Sequence, residues 1–329
     1  MRQPASLPAQ ILCSFRFTST VENLSRVQTT TRVTGLFSSL HFLWEVWRAR
    51  KRADVLLIYG VIPQMWVGWL QTYLPGCGLK VVVTECLWAR EPKSFRGYLK
   101  LRVMRLMLQR IDKCILYAKV DIPKFAEYYR VDPSKFVFIP FFNTLHPHRY
   151  TYAEIPGSYV FSGGNSDRDY ASLIEAMRSL DAQCFIACGP AVLKGIDLPT
   201  NVYRVEANPW QFRQLLKSAA IVVVAMKGGL LRSAGQQTFL NAMRLGKPVI
   251  VTDPDGARDY IQNGETGLTV PPGDPQALRK ALEMLLHDPA TYSRIAANAQ
   301  AASADLTIEN ISVQICAIAD ELVATVREL

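Results

Sequence analysis

Short, unbroken apolar runs recur along the first half of the chain, and segments with apolar residues at helical spacing lie between them. Strands of a parallel sheet are apolar along their whole length because helices cover both faces of the sheet. The runs are too short for helices, and two of them end at a glycine or a proline. We therefore predict strands at residues 54–60, 79–85, 113–118 and 135–140.

The second half repeats this alternation. Its apolar runs predict strands at residues 158–163, 183–189, 201–205, 219–226, 247–253 and 267–272. Its periodic segments predict helices near residues 169–180, 209–218, 235–245, 254–263, 274–287 and 289–302. The segment 307–328 is predicted as a helix with a mixed face.

Residues 141–158 interrupt the pattern with two prolines and no period, which is typical of a linker between domains. We predict a first domain at 1–145, a second at 146–305, and a helix at 306–329 that packs back toward the first domain. The predicted fold is α/β, with two doubly wound Rossmann-like domains facing a cleft. Ligands of such sheets bind at the carboxyl ends of the strands, so the cleft is the expected site.

Composition narrows the class of protein. Seven cysteines occur without a CxxC pair, which favours neither disulfides nor zinc and is typical of a reducing cytoplasm. The four histidines are too dispersed for a metal centre. No apolar run reaches the ~20 residues of a membrane span, and the chain opens without a signal-peptide apolar block.

Charge is distributed unevenly between the halves. Residues 1–150 hold 22 Lys and Arg against 9 Asp and Glu, whereas the remainder holds 15 against 19. This asymmetry indicates a polyanionic partner for the first half. No nucleic-acid motif is present, so we do not expect that partner to be a nucleic acid.

Two segments of the first half combine basic and aromatic or apolar residues. Residues 44–52 contain Trp44 and Trp47 beside four basic residues, and residues 93–113 contain seven basic residues and one aspartate. Such segments are typical of helices that lie on an anionic membrane surface. An ordinary core helix with a solvated basic side explains the same pattern, and both interpretations stay open.

A family resemblance rests on residues 240–278, "LNAMRLGKPVIVTDPDGARDYIQNGETGLTVPPGDPQAL". This segment resembles the pattern L-E-A-M-x-x-G-x-P-V, followed by G-x-x-[DE] and a P-P-G-D tail, of retaining glycosyltransferases of the GT-B fold, family 4 (glycosyl transferases group 1). Residues 54–60, 131–143 and 159–177 resemble earlier parts of the same pattern. The resemblance implies a donor nucleotide-sugar in the second domain, an acceptor in the first, and no protein-bound metal or other cofactor.

The family's two glutamates, spaced E-x7-E, are absent. Ser233 and Asn241 stand at the aligned positions. In the family these acids bind the donor sugar and the nucleotide ribose, so the resemblance implies that role for Ser233 and Asn241. An amide can accept one hydrogen bond and donate two, so Asn241 is able to hold a ribose hydroxyl.

The helix after Ser233 begins at Gly235, and the N–H groups of Gln236, Gln237 and Thr238 follow. Free N–H groups at a helix N-terminus favour an anion, and we predict a diphosphate site there. The alternative is a plain buried helix that starts at a glycine.

The family's Gly-rich loop aligns with residues 163–168. Gly163 replaces its Arg, Gly164 follows, and Arg168 occupies the position of its Lys. We predict that these three residues bind the donor diphosphate, because an Arg guanidinium can bind phosphate through two hydrogen bonds. The alternative for Arg168 is a salt bridge with Asp167 or Asp169. No residue is assigned as a catalytic base.

The opening of the chain also departs from the family, which begins with a strand and a Gly-Gly loop. Residues 8–33 contain one predicted strand and no glycine. The first domain is therefore predicted to be trimmed or incomplete at its start.

The function predicted from the sequence is transfer of a sugar from a nucleotide-sugar to a glycan or lipid-linked acceptor, with retention. The protein is expected in the cytoplasm, peripheral at the inner membrane face. One alternative is a non-catalytic glycosyltransferase-like binding subunit, which the lost glutamates favour. A nucleotide-sugar epimerase is a weaker alternative, because the acids and histidines that it needs are missing.

Overall fold

The computed structural model describes residues 8–14, 27–29, 36–60, 62–84, 92–145, 158–252 and 254–327. The chain forms two compact α/β units. Unit 1 comprises Met1–Pro140 and Ile308–Leu329, and unit 2 comprises Phe141–Thr307. Unit 2 is therefore inserted in the sequence of unit 1.

Unit 1 is built on a parallel sheet with the strand order β2-β1-β3-β4-β5-β6. The central strands are almost completely buried, which explains their unbroken apolar sequences. The strands are β1 (Ile11–Cys13), β2 (Val27–Thr29), β3 (Val55–Tyr59), β4 (Lys80–Thr84), β5 (Lys113–Leu116) and β6 (Phe136–Phe138).

The helices between β2 and β6 form one layer on this sheet. From β2 to β6 the chain always moves in the same direction across the sheet, so right-handed crossovers place the connecting helices on one face. Each helix of the layer packs against the next. The helices are α1 (Leu36–Ala49), α2 (Ile62–Leu70), α3 (Phe95–Arg110) and α4 (Asp121–Tyr129).

Unit 2 is built on a second parallel sheet, with the strand order β12-β11-β10-β7-β8-β9. Its strands are β7 (Tyr159–Gly163), β8 (Gln183–Ala187), β9 (Val202–Val205), β10 (Ile221–Val224), β11 (Val249–Val251) and β12 (Leu268–Thr269). Its helices are α5 (Tyr170–Met177), α6 (Pro209–Ser218), α7 (Gln236–Arg244), α8 (Pro254–Ala257), α9 (Pro275–His287) and α10 (Pro289–Ala302).

The segment after unit 2 forms helix α11 (Ile308–Arg327) and belongs to unit 1. The helix packs against β4, and Asp320 Oδ1 accepts a hydrogen bond from Ala9 N at 2.8 Å. Its buried side chains include Ile311, Ile315 and Val323.

The predicted α/β fold with two doubly wound sheets is confirmed, and each predicted strand from residue 54 onward overlaps an observed one. The described part of residues 8–33 contains two strands, whereas the sequence indicated one, because the three-residue β2 is too short and too polar to form an apolar run. The helix predicted at 254–263 ends at Ala257, whose carbonyl accepts from both Tyr260 N and Ile261 N.

The first residues of the predicted linker are part of unit 2. Phe141 N donates to Tyr260 Oη at 2.9 Å, and Asn143 Nδ2 donates to Leu306 O at 2.6 Å. Asn143 N donates to the same carbonyl at 2.8 Å. The unit boundary thus lies after Pro140 rather than after Leu145. His146, His148 and the rest of the predicted linker up to residue 157 lie outside the described residues.

Candidate functional site

The strand order of unit 2 creates a crevice between β7 and β10. The chain moves from β7 outward to β8 and β9, and then crosses back to place β10 on the other side of β7. The connections that leave these two neighbouring strands run in opposite directions across the sheet, and such a place is called a topological switch point. Open parallel sheets bind their ligands there, at the carboxyl ends of the strands. Gly163 ends β7, and Gly235 lies between β10 and α7. The topology therefore brings the two predicted phosphate-binding segments to one edge.

Two successive glycines allow close contacts at the end of β7 and in the loop that follows it. A Cβ atom at Gly163 would lie 2.3 Å from Phe212 Cε2. Gly164 has a φ of 120°, which residues with a side chain rarely adopt. A Cβ added at this position would lie 2.8 Å from Arg168 Nη2. Tyr170 Oη donates to the Gly164 carbonyl at 2.7 Å. The loop backbone is therefore held close to the Arg168 guanidinium.

Arg168 folds back against this loop. Its Nε donates to Gly163 O at 3.1 Å, and its Nη1 donates to Ser166 O at 3.2 Å and to Met226 Sδ at 2.7 Å. Burial lowers the pKa of Arg168, but an arginine remains charged in proteins. A hydrogen bond with the Tyr170 side chain acts in the opposite direction and raises this pKa. Four partners do not use all five N–H donors of the guanidinium, so it keeps a donor for an anion.

Neither aspartate beside Arg168 forms the predicted alternative salt bridge. Asp167 Oδ2 lies 4.0 Å from Arg232 Nη2. Asp169 caps α5, because its carboxylate accepts from Ser172 N at 3.2 Å and from Ser172 Oγ at 2.6 Å. Arg168 therefore has no carboxylate within 4.0 Å in the described part of the chain.

Gly235 starts α7 in the left-handed region, with a φ of 93°. A Cβ at this position would lie 2.7 Å from Val224 Cγ1, and 3.8 Å from Arg168 Nη1. The helix N-terminus and the guanidinium are therefore neighbours. Helix N-termini and guanidinium groups both favour anions, so their combination suits a diphosphate.

The N–H groups at this helix start differ from the prediction in one respect. Thr238 N donates to Gly235 O at 2.9 Å, because the first turn closes tightly, so Thr238 does not offer a free N–H. The N–H groups of Gln236 and Gln237 have no acceptor among the described residues. The Gln236 side chain is 7% exposed and likewise forms no hydrogen bond with the described residues.

Arg232 is a cation that the sequence analysis missed. It lies in the loop between β10 and α7, and its side chain is 22% exposed. Lys227 N donates to Asp167 O at 3.0 Å, which fixes this loop against the Gly-rich loop. After burial, the charge of Arg232 is a further cause of the lowered pKa of Arg168, whereas Tyr170 and Asp167 act in the opposite direction. Arg232 directly precedes Ser233, and its charge at that position was the available clue.

Asn241 is engaged within unit 2. Its Oδ1 accepts from Thr144 N at 2.7 Å, and its Nδ2 donates to Thr144 Oγ1 at 2.9 Å. Gln237, one helical turn earlier, donates to the same hydroxyl at 3.1 Å. Ser233 is buried, with 8% of its surface exposed. The ribose and sugar roles of Asn241 and Ser233 stay predictions, and Thr144 already uses both polar ends of the Asn241 amide.

The helix layer of unit 1 carries most of the exposed apolar surface. Eleven of the fifteen large apolar side chains that are exposed among the described residues lie on α1, α2 and α3 or in the turn after α2. Arg48 lies over the Trp44 ring at 4.6 Å, and Arg50 lies over the Trp47 ring at 4.0 Å. The eleven are Phe37, Leu40, Trp44, Trp47, Trp66, Leu70, Tyr73, Phe95, Tyr98, Leu99 and Leu106.

No helix in the described ranges combines the length and hydropathy required to cross a bilayer. Within the same ranges, no three His, Cys, Asp or Glu side chains are grouped closely enough to hold a metal ion.

Two doubly wound parallel-sheet units, of which the second carries a glycine-rich loop, a buried arginine and a helix N-terminus at its switch point, define the GT-B class of fold. The family model described as Glycosyl transferases group 1 matches residues 200–302, so the predicted resemblance to that group is confirmed there. A stretch of 61 residues is 36% identical to alpha-D-kanosaminyltransferase of Streptomyces kanamyceticus. That stretch covers 18% of this chain and only 16% of the relative.

Solved structures share the fold over nearly the whole chain. HepE of Anabaena, in complex with UDP and glucose, is 15% identical with a TM-score of 0.68, and the match covers 98% of this chain and 100% of HepE. Sucrose-phosphate synthase of Thermosynechococcus elongatus is 19% identical with a TM-score of 0.64, over 90% of this chain and 81% of that one. At these identities the likeness concerns the fold alone.

Proposed function

We propose that this protein is a glycosyltransferase that transfers a hexosyl group from a nucleotide-sugar to a glycan or lipid-linked acceptor, with retention. The observation that carries the proposal is the meeting of Gly163–Gly164, Arg168 and the start of α7 at the switch point of unit 2. Most of unit 2 beyond residue 200 matches the group 1 family model, and HepE structures contain UDP and UDP-glucose. The donor is accordingly proposed to be a UDP-sugar.

The chemistry of such a transfer requires a stabilised leaving diphosphate. Charge develops on the diphosphate as the glycosidic bond breaks, and preorganised donors stabilise that charge without rearrangement. The Arg168 guanidinium and the N–H groups of Gln236 and Gln237 are such donors, and Arg232 adds a second positive charge beside them. These groups are proposed to act without a protein-bound metal.

Binding and turnover of nucleotide-sugars test the proposal directly. Purified protein is titrated calorimetrically with UDP, GDP and ADP, and is then incubated with the matching nucleotide-glucose while free nucleotide is measured. We expect one nucleotide to bind and its sugar to be hydrolysed slowly. Failure of all three to bind would overturn the proposal.

The alternative is a non-catalytic glycosyltransferase-like subunit, and Asn241 favours it. The position of the family's glutamate holds an amide that already bonds to Thr144, so a charged acceptor for the donor is absent there. A protein that binds the nucleotide but never releases it from a nucleotide-sugar, with any acceptor offered, would support this alternative.

We also propose that the layer α1–α3 places the protein on the cytoplasmic face of an anionic membrane. The support is the concentration of exposed aromatic side chains there, together with guanidinium groups over Trp44 and Trp47. Aromatic rings favour the interface of a bilayer, and basic side chains are attracted by anionic headgroups. A lipid-linked acceptor would be reached from such a position.

A further inference from the structure

Unit 1 has a switch point of its own, between β1 and β3. From β1 the chain passes to β2 on one side, and it then crosses to β3 on the other side of β1. The carboxyl ends of β1 and β3 are therefore neighbours whose connections diverge, which is where open parallel sheets bind ligands. Ser14 directly follows β1, and Tyr59 ends β3.

Gln64, in the first turn of α2, is fixed at this point by its amide oxygen. Its Oε1 accepts from Ser14 Oγ at 2.6 Å and from Tyr59 N at 2.7 Å. A backbone N–H can only donate, so the atom facing Tyr59 must be the oxygen, and the amide cannot be turned over. The orientation of the Gln64 Nε2 group is fixed as a consequence.

The Nε2 group of Gln64 donates to no atom of the described residues. The residue is only 5% exposed, and an unused donor in a buried position costs free energy. Gln64 Nε2 is not among the fully enclosed, unsatisfied side-chain polar atoms in the described part of the chain, so it keeps a path to solvent. A ligand oxygen can therefore reach it.

Gln71 is a second glutamine of unit 1, and its side-chain amide has a purely structural role. Gln71, directly after α2, is completely buried. Its Nε2 donates to Leu79 O at 3.1 Å, and its Oε1 accepts from Cys77 Sγ at 3.3 Å. Both ends of the Gln71 amide are used within unit 1, whereas Gln64 leaves its two N–H donors available.

We propose that Gln64 binds a hydroxyl oxygen of the sugar acceptor, and that Ser14 and the Tyr59 N–H are its positioning groups. The inference rests on the proposed function and names the acceptor class for unit 1. The groups that the described residues bring together at this point are an amide, a hydroxyl and a backbone N–H, which are all neutral. Neutral N–H donors suit the uncharged oxygen of a polyhydroxylated ligand better than a phosphate, which favours cationic side chains.

The test compares variants of the two glutamines in the full-length chain. Gln64→Glu keeps an oxygen for Ser14 and Tyr59 but replaces the free donors by an acceptor, and Gln64→Met removes all polar atoms at similar length. Gln71→Glu is the matched control. Binding of methyl glucoside, galactoside, mannoside and N-acetylglucosaminide is measured by saturation-transfer NMR with UDP present, and UDP affinity is measured separately.

We expect at least one glycoside to bind the natural protein, and both Gln64 variants to weaken it about tenfold, the effect of one lost hydrogen bond in a buried site. UDP affinity should not change. Gln71→Glu should lower the melting temperature and leave glycoside binding intact. Equal glycoside affinity in a folded Gln64 variant, or no glycoside binding where UDP binds, would overturn the inference. If the natural protein does not bind UDP, the proposed function would be overturned instead.

Discussion

Arg168 is the side chain that we propose for binding the donor diphosphate. Its guanidinium is held by Gly163 O, Ser166 O and Met226 Sδ, so little side-chain entropy remains to be lost when a ligand binds. Gly164 and Gly235 leave space on either side of it. The guanidinium is thus held in one orientation before any ligand binds.

Replacing Arg168 should therefore weaken nucleotide binding. Arg168→Ala removes a charge-assisted hydrogen bond, and we expect a loss of about 1.5–3 kcal/mol in the binding free energy of the nucleoside diphosphate. Calorimetric titration measures it. Arg178→Ala is the control, because Arg178 pairs with Glu175 and Asp197 on the surface and should not affect binding. Unchanged affinity of Arg168→Ala would exclude its role at the diphosphate.

Replacing Asn241 should affect the stability of the protein more than its affinity for the nucleotide. The Asn241 amide bonds to Thr144 N, so Asn241→Leu leaves that N–H without its partner at a cost of about 1–3 kcal/mol. The melting temperature should fall, and UDP affinity should change little. Thermal unfolding and titration on one sample distinguish the two effects. A weaker affinity at an unchanged melting temperature would favour the ribose role, and increased turnover by Asn241→Glu would show a weakened version of the family site.

The sequence predicts that Gly163, Gly164, Arg168 and Gly235 share one site, because each ends or follows a strand of the same parallel sheet, and the structure places Arg168 beside Gly164 and Gly235. Their role at a diphosphate stays a prediction. The partner of Asn241 lies 97 positions away along the chain, in a segment that the sequence presents as a linker. No local pattern encodes such a contact. Arg232 was missed for a related reason, since its nearness to Asp167 arises only when two loops meet.

At the scale of elements, helix α7 depends on the glycine that begins it. Gly235→Ala must adopt a φ of 93° and place a Cβ 2.7 Å from Val224 Cγ1. Backbone strain of about 1–2 kcal/mol and a steric overlap of about 1–3 kcal/mol should lower stability, and nucleotide binding should be lost. Chemical denaturation and UDP titration measure both.

Gly195 provides the control for this substitution. It also has a positive φ, of 79°, but no atom lies within 4 Å of its added Cβ. Gly195→Ala should therefore show the backbone strain without the overlap and without any loss of UDP binding. If both variants behave alike, close packing of Gly235 against β10 is not what the site requires.

Elements with strong apolar runs were predictable, and their ends were not. Strand β10 was expected at 219–226 and spans Ile221–Val224, because only the middle of the run pairs with its neighbours. Strand β2 escaped prediction because its identity depends on pairing with β1 and not on its own sequence. Periodicity reports burial, whereas strand limits are set by hydrogen bonding across the sheet.

For the whole molecule, the exposed layer α1–α3 predicts salt-dependent membrane binding. Each basic residue near an anionic surface contributes ~1 kcal/mol, and the attraction decays over a Debye length of ~8–10 Å. Co-sedimentation with vesicles containing phosphatidylserine should be strong at low salt and mostly lost at several hundred millimolar salt. If the protein does not bind vesicles at low salt, the basic residues of the first half would be better explained by a soluble anionic acceptor.

Matched tryptophan variants test whether membrane binding depends on the layer α1–α3 or on exposed tryptophans anywhere on the surface. Trp44→Ser with Trp47→Ser should reduce the salt-resistant part of the binding, because it removes apolar contacts and leaves the basic residues in place. Trp210→Ser is the control, since Trp210 is 47% exposed on α6 of unit 2. Equal effects of the two changes would show that the layer is not a specific membrane surface.

The interrupted course of unit 1 has a consequence for biosynthesis. Helix α11 covers β4 and bonds to Ala9, yet it leaves the ribosome only after residues 141–307 have been made. Domains fold as units during translation once their residues are available. Unit 2 is continuous in sequence, so it can fold before α11 has been made and before that helix can cover the apolar face of the unit 1 sheet. The unit that the ribosome begins first is the one that is completed last, and this exposed interval is when the nascent chain most needs protection from aggregation.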